Sequence, residues 1–400
     1  MKILHIVPTY LPAYRYGGPI KSVHGLNKWV AKEGAEVTVY TTNIDGGDDL
    51  QTKTDIIDGV KIYYFKASRF LRSWFYSRDL RLALRDSLKD FDIIHITSVF
   101  LSASYFGAKY AKRFNKPYII SPRGSLITEL IEKKSSFKKK LYISLIEKKN
   151  LSGASAIHFT TELEKEEYLK LGLPLNKAIV IANGVEMEKK LVNSNEELKS
   201  EFRIKFNIPG NAKIVLSLGR LNWKKGFDTL IPAFAEVVRQ ENNRTIEQEN
   251  NLVLVIVGGD DEGYKKEIQL LTTHHQLPTN SVIFTGDLRG EDKAAAYQSA
   301  DMFVMPSYSE NFGGSVVEAM ARSVPVVITE GVGITPDVRE AKAGIVIEKN
   351  EEQLAKAILG LLRDDDLRKA LGERGRKLVE EKYSWPNIAK KWLAAYNELV

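Results

Sequence analysis

The chain has 400 residues, of which 44% are hydrophobic and 27% charged, with a formal net charge of +7 and no cysteine. That length suits two domains of roughly 200 residues better than one core, and no apolar run approaches the ~20 residues that span a bilayer. The missing cysteine excludes disulfides, thiolate chemistry and cysteine-ligated zinc. The start has no signal-peptide cleavage pattern, so the expected compartment is the cytoplasm.

In chain order, short β-rich runs alternate with longer helical patterns, which predicts an α/β fold of parallel sheets with helices on both faces. The strands of the first half are KILHIV, EVTVYTT, VKIYYF, DIIHIT, KPYIIS, AIHFTT and AIVIAN. After the first of them, Gly17 and Gly18 form a Gly-rich turn ahead of a helical pattern. Two basic stretches follow. Phe65 to Arg85 mixes arginines with aromatics, and Ser135 to Asn150 sets Phe137, Leu141 and Leu145 at helical spacing among lysines. A basic amphipathic helix can lie on an anionic membrane or contact nucleic acid; an ordinary docked helix with a solvated lysine face explains it equally well. No RNP, zinc-finger or helix-turn-helix pattern supports nucleic acid.

After Asn183–Gly184 the sequence turns polar and patternless, and then the alternation restarts with KIVLSLG, LVLVIVGG, VIFTG, MFVMP, VPVVIT and AGIVIE. Two Rossmann-like domains are expected: residues 1–188, completed by a final helix over 386–400, and residues 189–385. In that last helix Pro386 stands at the start and Ile388, Trp392 and Tyr396 share a face.

Ligands of open parallel sheets bind beyond the C-terminal ends of the strands, so the motifs that follow strands carry the chemistry. Arg220 and Lys225 follow KIVLSLG, and a fork of donors beside a point charge suits a diphosphate. Gly258 and Gly259 follow LVLVIV, where they allow close backbone approach or end the strand. Glu310 and Glu318 flank Gly313 and Gly314, a Gly-rich turn entering a helix and thus an expected anion site. Carboxylates beside an anion site accept hydrogen bonds from hydroxyls, as on a sugar; the alternative is a helix cap at Glu310 and a solvated charge at Glu318. No G-x-G-x-x-G or P-loop is present, which counts against dehydrogenases and P-loop hydrolases. No metal is expected: the histidines lack ligand spacing, and Asp364 to Asp366 read as a helix cap.

The run GRLNWKKGFDTL from Gly219 to Leu230 is followed by V-x-F-x-G at Val282–Gly286, A-D-x-F-x-x-P-S at Ala300–Ser307 and E-x-F-G-x(4)-E at Glu310–Glu318. Together with P-x(8)-GG near the start, Asn183–Gly184–Val185 and the ending Y-S-W-x-x-I-A, they resemble the retaining family-4 glycosyltransferases of GT-B fold. The resemblance implies two Rossmann-like domains facing across a cleft, with the C-terminal helix crossing back to the N-terminal domain. It implies metal-independent hexosyl transfer from a nucleotide-diphosphate sugar, foremost a UDP-sugar, with no cofactor. The acceptor would be a saccharide or polyprenyl-linked, bound by the N-terminal domain, in surface polysaccharide or glycolipid synthesis at the inner membrane face. Arg220 and Lys225 would hold the diphosphate and Glu310 the donor sugar near the reaction centre. Glu318 would hold the ribose, and the backbone of Asn311, Phe312, Gly313, Gly314 and Ser315 the sugar hydroxyls and distal phosphate. Gly17 and Gly18 would close on the diphosphate, the segment from Ile283 to Leu288 would border the base, and Gly259 would belong to the donor site.

One position departs from the pattern. Where many members carry a histidine after the fifth strand, this chain has Arg123. A permanent cation binds phosphate but cannot act as an acid–base group at neutral pH. The same fold also serves nucleotide-sugar epimerases and glycogen-synthase-like enzymes, and a basic membrane- or nucleic-acid-binding protein with a dead sugar site is the distant alternative.

Overall fold

A computed structural model describes residues 1–14, 18–46, 48–128, 131, 136–187, 194–243, 252–260 and 262–400. The chain divides into two units, Met1–Gly184 with Ser384–Val400, and Val185–Tyr383. The division falls directly after Asn183–Gly184, where the sequence turns polar, a few residues ahead of residue 188.

In the first unit the strands are β1 (Lys2–Ile6), β2 (Glu36–Thr42), β3 (Ile44–Asp45), β4 (Asp48–Asp49), β5 (Thr54–Ile57), β6 (Val60–Phe65), β7 (Ile93–Thr97), β8 (Tyr118–Ser121), β9 (Ala156–Phe159) and β10 (Ala178–Val180). Among the described residues eight of them form one sheet in the order β10-β9-β8-β7-β1-β2-β6-β5. All pairs are parallel except β5–β6. Both faces are covered, as a parallel sheet requires. Leu4 and Ile6 of β1 enter one core with Ile94 and Phe106, while Ile3 enters the other with Val39, Trp385 and Trp392.

The antiparallel edge was not expected. Asp58 and Gly59 connect β5 to β6 with φ of 50° and 81°, the left-handed pair that a two-residue hairpin turn uses. Asp-Gly is the sequence signal for it, and β5 escapes notice because it is short and half exposed.

The final helix, Trp385–Leu399, belongs to the first unit and buries Trp385, Ile388, Ala389, Trp392 and Tyr396. It packs on helix Gly18–Lys32. There the Trp385 ring fills two notches, since a β-carbon on Gly25 would lie 2.1 Å from it and one on Gly184 2.3 Å.

In the second unit β11 (Lys213–Leu218), β12 (Leu252–Val257), β13 (Val282–Gly286), β14 (Met302–Met305), β15 (Val326–Thr329) and β16 (Gly344–Ile347) form a parallel sheet in the order β13-β12-β11-β14-β15-β16. β12 and β14 lie on opposite sides of β11, so the winding reverses between β11 and β14. Open sheets bind ligands at the carboxyl ends on either side of such a reversal. Among the described residues no helix is long and apolar enough to cross a membrane.

Candidate active site

The loops leaving β11 and β14 lie next to each other at the reversal, and three contacts lock them. Gly226 takes φ 71° and caps helix Phe227–Asn242. A β-carbon there would meet the Pro306 carbonyl oxygen at 2.0 Å, so only glycine permits this approach. The Tyr308 amide donates to the Lys224 carbonyl at 2.8 Å. Trp223 and Tyr308 meet edge to face at 5.7 Å. Tyr308 in turn donates its hydroxyl to Asp228 and lies under Lys349, whose Nζ is 3.2 Å from the ring centre.

Across this junction the Lys225 ammonium pairs with the Glu310 carboxylate. The Lys225 side chain passes over Gly219, where a β-carbon would lie 2.8 Å from its Cε. Both partners keep contact with solvent, at 16% and 27% side-chain exposure, so a ligand can reach either. Arg220 is exposed on the same loop and has no hydrogen bond or ion pair among the described residues.

Glu310 is held by its backbone as well. Its amide donates to the Gly331 carbonyl and its carbonyl accepts from the Gly333 amide, both at 2.9 Å, in a bridge paired with Val332. Gly313, with φ 90°, is the cap of helix Gly314–Met320 and no side chain caps it. Glu310 as a helix cap is thereby excluded. The helix has seven residues, so its dipole is small, and what it offers an anion is local. Val316 and Val317 return their amides to the Gly313 carbonyl, while the amides of Gly314 and Ser315, in the open first turn, have no intrahelical acceptor.

Glu318, on that helix, faces helix Gly290–Ser299. It pairs with Lys293 and accepts from the Tyr297 hydroxyl at 2.9 Å. Both contacts fall on Oε2, which leaves Oε1 for a further donor such as a ribose hydroxyl. Tyr297 also donates toward the Ser315 carbonyl at 3.2 Å, so one hydroxyl links the open helix turn to the carboxylate. Burial, and then the Glu318 charge, raise the Tyr297 pKa well above its ordinary value, so it stays a donor. Lys293 and Tyr297 were not expected as site residues. They lie on a separate helix that carries no motif, and only the fold brings them to Glu318.

Three more of the expected residues make contacts within the second unit. The Phe312 side chain is buried and meets Tyr383 edge to face at 5.8 Å, so that residue can serve a ligand only through its backbone. Leu288 is buried too. Of the glycine pair after β12, it is Gly258 whose missing side chain matters, since a β-carbon there would lie 1.9 Å from the Gly219 carbonyl oxygen. Gly259 accepts from the Leu221 amide at 2.9 Å, which fixes the loop that carries Arg220.

In the first unit Gly17 lies outside the described residues, and Gly18 opens helix Gly18–Lys32 after β1. Arg123 follows β8 with φ 54°. It donates to Asn183, while its buried Nε has no partner. Burial draws its pKa below the ordinary arginine value, and the Glu164 carboxylate opposes that shift. Glu164 is itself occupied by the amides of Gly124 at 2.6 Å and Thr160 at 2.7 Å.

The model for Glycosyltransferase Family 4 matches residues 16–189, and that for Glycosyl transferases group 1 matches residues 199–378. An uncharacterized glycosyltransferase of Methanocaldococcus jannaschii is 28% identical over 99% of this chain and 98% of its own. The capsular polysaccharide biosynthesis glycosyltransferase CapM of Staphylococcus aureus is 27% identical over 65% of this chain and 66% of its own. Among solved structures, Anabaena HepE in complex with UDP and glucose superposes over the whole of both chains with a TM-score of 0.75 at 17% identity. With one family model taking up the first unit and the other the second, the chain belongs to the family-4 glycosyltransferases of GT-B fold.

Proposed function

We propose that this glycosyltransferase moves a hexosyl group from a UDP-sugar to a saccharide or lipid-linked acceptor, with retention of configuration and without a metal. The observation that carries this reading is the Lys225–Glu310 pair at the sheet reversal, with unpartnered Arg220 beside it. As the glycosidic bond breaks, charge develops on the distal phosphate. Cations fixed there stabilise the transition state more than the ground state. Arg220 and Lys225 take that role, and the open amides of Gly314 and Ser315 add to it. Glu310 accepts from sugar hydroxyls, and Glu318 Oε1 from the ribose. Arg123 holds a phosphate of donor or acceptor through its free donors. The acceptor attacks from the side of the leaving group, and the departing phosphate takes its proton, so no protein nucleophile is required. UDP is favoured as the carrier by the likeness to HepE, whose structure holds UDP and glucose. Surface polysaccharide is favoured by the likeness to CapM. The reaction is placed in the cytoplasm, at the inner face of the membrane.

The test is nucleotide release from UDP- and GDP-sugars with and without saccharide and polyprenyl phosphate acceptors, with the product anomer read by NMR. UDP released only with acceptor, and a retained anomer, are expected. Inversion, release that ignores the acceptor, or wild-type rates in Lys225→Ala and Glu310→Ala variants would sink the assignment.

A further inference from the structure

The strands β8, β9 and β10 are neighbours in the first sheet, and their carboxyl ends hold a cation whose donors the fold leaves largely unused. Arg123 stands just after β8 and Asn183 just after β10. Arg123 donates through Nη1 to Asn183 Oδ1, so its side chain spans the end of β9, which lies between the two strands. Its backbone takes φ 54°. That left-handed conformation is uncommon for a residue other than Gly, Asn or Asp, and such outliers cluster at binding and active sites. Ser98 and Phe100, in the loop leaving neighbouring β7, share it with φ of 79° and 68°.

A guanidinium is a fork of N–H donors. Among the described residues the bond to Asn183 is the only one that Arg123 makes. Nε is enclosed without a partner, and Nη2 has no partner but is not enclosed. No acid among the described residues pairs with it. Glu164, whose charge it feels, is buried and turned away, with Oε1 taken by the Gly124 amide at 2.6 Å and Oε2 by the Thr160 amide and hydroxyl at 2.7 and 2.8 Å. Burial, with the Arg123 charge adding to it, keeps His5, His95 and His158 neutral, so they supply no negative charge either. Asn183 turns Oδ1 to Arg123, which leaves its Nδ2 donors beside the guanidinium with no partner among the described residues. A structural arginine is arranged otherwise. Arg368, buried in the second unit, donates Nη1 to the Leu361 and Leu362 carbonyls and pairs Nη2 with Asp365. A buried charge is costly unless paired, and the chain itself meets that need for Arg368 but not for Arg123.

We propose that the acceptor of this transferase is anionic and that Arg123 and Asn183 bind its phosphate or carboxylate. The inference rests on the transferase reading above and narrows it, because the anion that Arg123 holds becomes the acceptor's and not the donor's. The donor diphosphate has its cations in the second unit, at Arg220 and Lys225. Arg123 belongs to the first, the unit expected to take the acceptor. The open arm of a guanidinium and an adjacent amide suit two oxygens of one anion. A neutral saccharide would leave the charge unmatched.

The experiment is titration calorimetry of the full chain at constant ionic strength, first with UDP, then with glucose 1-phosphate, glucuronate and glucose, each without UDP and with UDP saturating. At least one of the charged sugars should bind in the presence of UDP and glucose should not; which of the two binds tells phosphate from carboxylate. Arg123→Gln should weaken that binding at least ~10-fold, the loss of one hydrogen bond to a charged group. Arg123→Lys, which keeps the charge without the fork, should recover part of it. Asn183→Asp should abolish it, because a carboxylate there pairs with Arg123 from within the chain. Circular dichroism and UDP affinity should stay as in the wild type in every variant. Four results overturn the proposal: no binding of either charged sugar, glucose bound as well as they are, binding that ignores both Arg123→Gln and Asn183→Asp, or binding that UDP displaces, which would give the anion to the donor. Failure of the transferase reading shows separately, as absence of UDP binding.

Discussion

The two units share one architecture and treat polar groups in opposite ways. In the second unit charges stand in pairs, Lys225 with Glu310 at the strand ends and Lys293 with Glu318 between two helices, each partly open to solvent. In the first unit, beside Arg123 and the buried Glu164, a set of histidines is sunk into the interior as neutral groups. His5 stacks on His95 with ring centres 4.2 Å apart. His5 bonds Asn27 at 2.7 Å and Thr97 at 2.8 Å. His95 bonds Tyr396 and Ser121, and Ser121 bonds His158, each at 2.7 Å. His24, bonded to Tyr10 at 2.9 Å, extends the chain to Asp58 at 3.0 Å. A buried charge is costly unless paired, whereas a neutral imidazole needs only its hydrogen bonds. The difference teaches that one unit leaves its charges within reach of solvent, whereas the other uses buried polarity to fasten its own final helix.

Acidification breaks the comparison most strongly. Burial lowers the His5 pKa to about 3 and draws those of His95 and His158 well below 6.5. Their unfolded forms take up protons first, so their contribution to stability is whole above about pH 6.5 and is lost as pH falls toward the folded pKa values. Each such histidine should cost about 1.4 kcal/mol per pH unit in that window. Calorimetry from pH 7 to pH 4 should show the transition of the first unit falling ahead of the second; a first-unit transition indifferent to pH would refute the neutral network. Next in size, Lys225→Ala should lower transfer by about 10²–10³-fold, the usual loss of one preorganised charge partner, while moving neither transition by more than about 1 kcal/mol.

Tyr396→Phe should then cost the first unit about 1–3 kcal/mol, because His95 Nδ1 is left buried without a partner; an unchanged melting temperature would mean that the ring contacts alone hold the helix. The smallest effect belongs to Tyr297→Phe. It removes one of the donors to Glu318 and should weaken UDP binding by ~2- to 10-fold, about 0.5–1.5 kcal/mol, as titration calorimetry would read.

Most of the sheet framework was legible in the sequence because parallel strands buried on both faces are near-continuous apolar runs, as LVLVIV of β12 is. β5 was not, since an edge strand with one solvated face loses that signal, and the two-residue β3–β4 pair is too short to have one. At the site, Lys225, Glu310 and Glu318 were legible because they follow strands. Lys293 and Tyr297 were hidden because their partner lies more than a helix away in sequence. His5, His24, His95 and His158 have no spacing that a sequence rule rewards; the sheet makes neighbours of His5, His95 and His158, and His24 joins them from helix Gly18–Lys32 through Tyr10 and Asn27.

The placement of helix Trp385–Leu399 in the first unit has a consequence for biosynthesis. A chain leaving the ribosome presents residues 1–184 early, yet the sockets at Gly25 and Gly184 stay empty until Trp385 emerges. The second unit, continuous from Val185 to Tyr383, is available for folding as soon as it is out. The unit that is synthesised first is therefore completed after the second, and the emergence of helix Trp385–Leu399 is the event that closes its core.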